Sequence, residues 1–171
     1  MQKSGDARLC RTILHADVTD HPTALWLARQ ITEAFPWDSA PKVLVRDNDG
    51  AYGLAFRRRV CALGIQDRPI TSYCPWQNGY VERLIGSIKR ECVNHFIIFD
   101  ARHLRRLLRA YARYYNHSRT HRGLGGQTPI PRSEKTVGRV VAIPVLGACI
   151  TAMSATIQRE VAGARADRDR L

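Results

Sequence analysis

The sequence predicts an α/β fold, and three observations carry the prediction. Apolar residues recur at helical spacing in separate stretches, most clearly at 24–35 and 104–115. Between them lies a short continuous apolar run, Val43-Leu44-Val45, bounded by turn signals and too short for a helix. The chain has 171 residues, 44% of them apolar, which suffices for one domain with a sizeable core and excludes a disordered chain.

The elements follow in order. Residues 1–12 are polar and irregular. Ile13 to Thr19 alternates weakly and reads as a strand. Thr19 or Asp20 then offers an N-cap, and Pro22 falls in a first turn, where its missing N–H costs little. Ala24, Leu27, Ala28, Ile31 and Phe35 share one helical face, so a helix is expected over His21 to Phe35, ended by Pro36. Lys42 to Arg46 reads as a buried strand, with Asp47 at its C-terminal end, where open α/β sheets place their ligand sites. Tyr52 to Leu63 reads as a helix with Phe56, Val60 and Leu63 on one face and Gly64 as its C′ residue.

Ile65 to Ser72 is expected to be extended, Pro75 to Gly79 a loop, and about Asn78 to Asn94 a helix. Asp100 caps a strongly amphipathic helix with the apolar stripe Leu104, Leu107, Leu108, Tyr111 and Tyr115. Arg102, Arg105, Arg106, Arg109 and Arg113 recur at the same period and form a basic rail that could track a DNA backbone. Asn116 to Pro131 is rich in turns. Residues 131–171 read as a weakly ordered tail with a strand at Arg139 to Ile143.

The formal net charge is +12, a field that attracts polyanions, nucleic acid first and anionic lipid second. The cysteines Cys10, Cys61, Cys74, Cys92 and Cys149 are odd in number and contain no C-x-x-C pair, which argues against a disulfide framework or a cysteine zinc site. No apolar run reaches the ~18 residues of a membrane span, and no secretory h-region follows the N-terminus, so a cytoplasmic location is expected.

Two carboxylates stand out as candidate chemistry. Asp47 follows a strand, and Glu82 lies in the first turn of a helix. A phosphodiester repels nucleophiles, and carboxylate-held Mg²⁺ offsets that repulsion during in-line displacement. Lys89 lies two helical turns beyond Glu82 on the same face, placed to contact phosphate. His117 and His121 are four apart, but no Cys pair accompanies them to make a zinc site.

Three segments then fall in order: Arg46-Asp47-Asn48-Asp49-Gly50-Ala51-Tyr52, Ser72-Tyr73-Cys74-Pro75-Trp76-Gln77-Asn78-Gly79-Tyr80-Val81-Glu82-Arg83, and Tyr115-Asn116-His117-Ser118-Arg119-Thr120-His121-Arg122-Gly123-Leu124, followed by Thr128-Pro129. Together they resemble the catalytic core of DDE-type integrases and insertion-sequence transposases, over about residues 13–130. The resemblance implies an RNase H-like α/β fold, here an incomplete mixed sheet flanked by helices. It implies a transposase or integrase that hydrolyses DNA and transfers strands, with Mg²⁺ or Mn²⁺ as cofactor. Asp47 and Glu82 become the catalytic metal ligands. Lys89, Gln77, Asn78, Arg83 and Arg90 become the candidate DNA contacts. Asp49 offers a competing register, but the step to Glu82 is 35 positions from Asp47 and 33 from Asp49, and the longer step is nearer the family spacing.

The resemblance also implies a third acid on an earlier strand, and too little chain precedes Asp47 to supply it. The strand at 13–19 would then be the third of the family sheet, three inter-strand steps from the Asp47 strand, or roughly 14 Å. That places Asp17 and Asp20 too far away to substitute. The expectation is a truncated catalytic core whose own activity is in doubt. Its partners would be transposon-end and target DNA, with full-length transposase or a second copy as a protein partner, and no membrane. The alternative is a non-catalytic DNA-binding or transposase-interacting remnant.

Overall fold

The computed structural model describes residues 11–36, 39–71, 74–131, 139–146 and 150–156. Most of the segment expected to be irregular, 1–12, lies outside them, as do Cys10, Cys149, Ser72, Tyr73 and much of the tail. Cys61, Cys74 and Cys92 form no disulfide among the described residues.

Helix α1 spans Ala24–Ala34. Its N-cap is Thr23, whose hydroxyl accepts the Trp26 N–H at 3.2 Å, not Thr19 or Asp20. Pro22 therefore stands before the cap rather than within the first turn. Strand β1, Val43–Arg46, leads through a turn into α2, Leu54–Ala62, which begins after Gly53 rather than at Tyr52. Gly64, at φ +70°, reverses the chain after α2 in a backbone region that L side chains rarely adopt. The chain then enters β2, Gln66–Pro69, parallel to β1 with Val43 opposite Gln66 and Arg46 opposite Pro69. This β–α–β unit buries Phe56, Val60 and Ile65 beneath Leu27 and Ile31 of α1 and Leu44 of β1.

The expectation that β1 is buried fails on one side. Alternation turns Leu44 and Arg46 toward the helices and Val43 and Val45 the other way, where they remain 44% and 47% exposed. The outer edge of β1 has no strand partner among the described residues. The stretch 13–19 does not fill it, and no strand is assigned there. Its extended backbone is held by a side chain instead. Asn116 accepts the Ile13 N–H and donates to the Ile13 carbonyl, each at 2.9 Å, which satisfies both polar groups as a neighbouring strand would.

A second core sits between α3, Gly79–Glu91, and α4, Ala101–His117. Tyr111 and Cys92 are fully buried there, joined by Leu107, Tyr115 and Leu146, with Leu104 and Leu108 of the expected stripe only half-buried. Asp100 caps α4 by accepting the His103 N–H. Arg105 departs from the basic rail. It pairs with Asp17 and donates to the Val18 carbonyl, while Arg102, Arg106, Arg109 and Arg113 stay exposed. In the tail, the strand expected from Arg139 is present among the described residues and runs to Val145. Strand β3, Arg139–Val145, pairs antiparallel with β4, Ile150–Thr156, and the Leu146 that follows β3 is buried in the second core.

The two ends of this core are joined by Glu91. Its carboxylate accepts from Arg119 Nη2 at 2.6 Å and from the Tyr111 hydroxyl at 2.9 Å. Burial alone raises the Glu91 pKa, but these bonds outweigh it and hold the group below its ordinary value of 4.5. A carboxylate depressed on folding stabilises the fold above its unfolded pKa and loses that contribution as pH falls through the folded one. Glu91→Gln should therefore cost about 1–3 kcal/mol near neutrality, since it leaves Arg119 half-buried without its anion. Denaturant titration should show the difference from the parent chain shrinking as pH drops below 4.5. A pH-independent difference would contradict the assignment.

Candidate metal and nucleic-acid site

Asp47 owes its position to Arg46. The Arg46 guanidinium is buried at the end of β1 and forms a bidentate pair with Asp67 of β2, with Nε to Oδ1 at 2.9 Å and Nη2 to Oδ2 at 2.8 Å. Nη1 donates to the Asp47 carbonyl at 2.9 Å. The guanidinium also lies over the Tyr52 and Phe56 rings, 4.5 and 5.6 Å from their centroids. One cation thus fixes the strand end, the turn after it and the start of α2. The Asp47 carboxylate lies near the Tyr52 phenol, and both residues line one cleft. Burial, then the charge of Asp47, push the Tyr52 phenol up to about 12. Asp49 has a local duty: its carboxylate accepts the Ala51 N–H at 2.7 Å, closing the turn.

Glu82 lies in the first turn of α3, where the helix dipole favours an anion. The helix follows a 3₁₀ turn, Pro75–Asn78. Gln77 secures that turn to the end of the β2 segment, since its Oε1 accepts the Thr71 N–H at 2.9 Å. Asp47, Asp49, Asn78 and Glu82 all line one cleft of about 860 Å³, with Leu44, Phe56, Val81 and Ile85 forming much of its apolar wall. Asp47, Asp49 and Glu82 share this cleft but do not form a group of three within 4.8 Å of one another. Among the described residues, the three metal-type side chains that lie within 4.8 Å of one another are His15, Asp17 and Glu33. Those are already answered: Asp17 by Arg105, Glu33 by Arg29 at 2.9 Å, and His15 by Gln30 at 2.7 Å.

The expected DNA contacts separate. Asn78 lines the acidic cleft, and Gln77 is engaged as a brace. Lys89 and Arg90 are exposed in the last turn of α3, where cations suit the helix C-terminus. Arg83 points to a different cavity, described below. Of the histidine pair, His117 is exposed. His121 is buried, with its ring nitrogens 3.5 Å from the Tyr115 carbonyl and from Arg119. Burial lowers its pKa, as does the neighbouring Arg119 charge. Sequence reasoning did not find the roles of Arg46, Asp67 and Tyr52. Arg46 ends an apolar strand, a position where a buried cation needs an acid nearby, and Asp67, opposite Leu44, stands two positions before Arg46's register partner Pro69 and so on the same face of the sheet.

With this geometry in place, comparison with known proteins gives a consistent result. Residues 63–129 match the integrase core domain family. An uncharacterized 31.7 kDa protein of insertion element IS407 from Burkholderia multivorans is 28% identical over 114 residues, covering 66% of this chain and 41% of that protein. A chain in the simian T-cell lymphotropic virus intasome, solved with PP2A regulatory subunit B56 gamma, superposes with a TM-score of 0.52 at 18% identity over 80% of this chain and 54% of that one. The structural likeness establishes an integrase-core, RNase H-like α/β fold. The chain spans about half or less of the length of these relatives.

Two outcomes follow from the Arg46 anchor. Asp67→Ala leaves a buried guanidinium unpaired and should cost roughly 2–4 kcal/mol in denaturant unfolding. Loss of less than about 0.5 kcal/mol, the ordinary range for surface changes, would show that the pair does not hold the strand end. The phenol of Tyr52, isolated as the difference between parent and Tyr52→Phe titrations, should ionise near 12 and shift downward in Asp47→Asn.

Proposed function

We propose that this chain, whose residues 63–129 match the integrase core domain, is the core of a transposase that cuts and joins DNA with a divalent metal, Mg²⁺ or Mn²⁺. The observation that carries the reading is the shared cleft. A strand-end aspartate, Asp47, and a helix-borne glutamate, Glu82, come from separate elements and open onto one cavity in a chain of net charge +12. The donor chemistry fits. Both are carboxylates, hard oxygen donors of the kind such ions prefer, and the walls leave room for phosphate and water. When bound, the ion acidifies the attacking water or hydroxyl and neutralises the phosphate oxygens.

The chain's own residues supply the rest. Arg46 holds the Asp47 backbone at the strand end through its carbonyl, which sets where the carboxylate enters the cleft. Gln77 holds the turn that brings Glu82 to the cleft. Asn78 offers an amide beside Glu82, while Lys89 and Arg90 extend positive charge along α3 for the DNA backbone. No helix among the described residues is long and apolar enough to cross a membrane. In this reading the chain works on DNA in the cytoplasm, at transposon ends and target.

A second reading has its own support. Asp47, Asp49 and Glu82 are not collected within 4.8 Å of one another, and the edge of β1 is open among the described residues. A module that binds DNA, or joins a full-length transposase without cutting, would look the same. A strand-transfer assay with Mn²⁺, on DNA carrying the ends of the element that encodes the chain, separates the two. The catalytic reading expects metal-dependent joining that falls to background in Asp47→Asn and in Glu82→Gln, while salt-sensitive DNA binding persists in both. Binding without joining by the parent chain would select the second reading.

A further inference from the structure

The start of α3 presents two faces to two cavities. Asn78, Val81, Glu82 and Ile85 face the acidic cleft, whereas Tyr80, Arg83 and Leu84 line a second cavity of about 740 Å³. Its other walls are the end of α4, the loop that follows and Arg11. Four arginines reach this space, Arg11, Arg83, Arg119 and Arg122, and among the described residues no carboxylate lines it. Arg119 is already neutralised behind the wall by Glu91. Arg11, Arg83 and Arg122 form no ion pair among the described residues. Cations gathered around a concavity repel one another, so an anion placed there relieves a cost as well as making hydrogen bonds.

The loop is built to hold this shape. His121 is buried with its ring edge-on to Tyr115, centroids 4.6 Å apart. Its backbone N–H donates to the Gln127 carbonyl at 3.1 Å, and its carbonyl accepts the Gly126 N–H at 3.0 Å. That closure needs left-handed backbone at Gly125 and Gly126, with φ of 64° and 83°. On the opposite wall the Arg11 guanidinium lies 5.6 Å from the centroid of Tyr80, a ring that is 60% exposed.

We infer that this cavity holds an unpaired nucleotide of a DNA strand, its phosphate on Arg11, Arg83 and Arg122 and its base against Tyr80. The chemistry selects the ligand. Arginine forks suit phosphate, and an exposed phenol offers a stacking surface to any base. The volume lies in the range of roughly 300–1,000 Å³ that encloses a small ligand, which admits one nucleotide and excludes a duplex. Glu82 and Arg83 are adjacent on one helical turn. A strand whose reacting phosphate sits in the acidic cleft can therefore pass its neighbouring, unpaired nucleotides around α3 into the basic cavity. The inference rests on the DNA-processing reading and adds to it a site for single-stranded DNA at the cut end.

The test is fluorescence anisotropy of the full chain, without metal, on a blunt duplex and on the same duplex with a short single-stranded overhang. The overhang should be bound roughly tenfold tighter, the scale of one base stacked on an aromatic ring. Arg11→Ala combined with Arg122→Ala should erase that advantage and reduce the salt slope by about 0.7 for each phosphate no longer neutralised, while blunt-duplex binding changes little. Gly123→Ala is the second variant. A Cβ there would lie 2.4 Å from Arg11 Nη1, so it displaces that guanidinium without removing any charge, and it should lose part of the advantage. Arg102→Ala, on the exposed rail of α4, should keep all of it. Equal binding of the two DNAs by the parent chain, or an advantage that survives in both cavity variants, overturns the inference and leaves the DNA-processing reading standing. Binding to neither DNA removes both.

Discussion

The bidentate pair between Arg46 and Asp67 is the constraint on which the site depends. It closes the only parallel sheet among the described residues at the end that carries Asp47. A guanidinium this buried is costly alone and stable only with both forks satisfied, which forces β1 and β2 into one register. The same cation lies over Tyr52 and Phe56, so the register, the turn after β1 and the start of α2 are set together. The backbone at Asp47 is thus positioned by a network of residues outside the proposed metal ligands.

Helix α3 is the second organising element. Its Leu84 and Ile88 pack against the Tyr111 cluster of the second core. The acidic cleft therefore lies between two separately packed cores, one built on Phe56 and Val60, the other on Tyr111 and Cys92. Clefts between packed units are common places for ligands, because closing them brings residues of both walls together. Here one wall brings Asp47 and the other Glu82. The opposite side of the same helix turn carries Arg83, so α3 separates an acidic chamber from a basic one.

Much of this was legible in the sequence, for identifiable reasons. The helices at 54–62 and 101–117 were announced by apolar periodicity and by Gly64 and Asp100, local signals that tertiary structure did not override. Asp47 and Glu82 stood out as candidates because their motifs are contiguous, and both line one cleft. What failed were statements about partners. The stretch 13–19 alternates like a strand, yet its backbone is satisfied by the Asn116 amide, a residue 103 positions away that no local pattern reveals. Arg105 carried the period of the basic rail, but Asp17 claims it from 88 positions away. The burial of Leu146 against the second core was not legible either, since it depends on a cluster assembled from distant segments. The basic cavity was equally hidden, since its arginines come from residues 11, 83, 119 and 122, and only folding places them together.

Asp47 and Glu82, from opposite walls, are proposed to act on one divalent ion. Paramagnetic broadening of the amide spectrum by substoichiometric Mn²⁺ addresses this directly. Broadening is predicted to centre on the residues around the acidic cleft, and to vanish in Asp47→Asn and equally in Glu82→Gln. Broadening centred on His15, Asp17 and Glu33, or broadening at the cleft that persists when either carboxylate is removed, would contradict a shared ion.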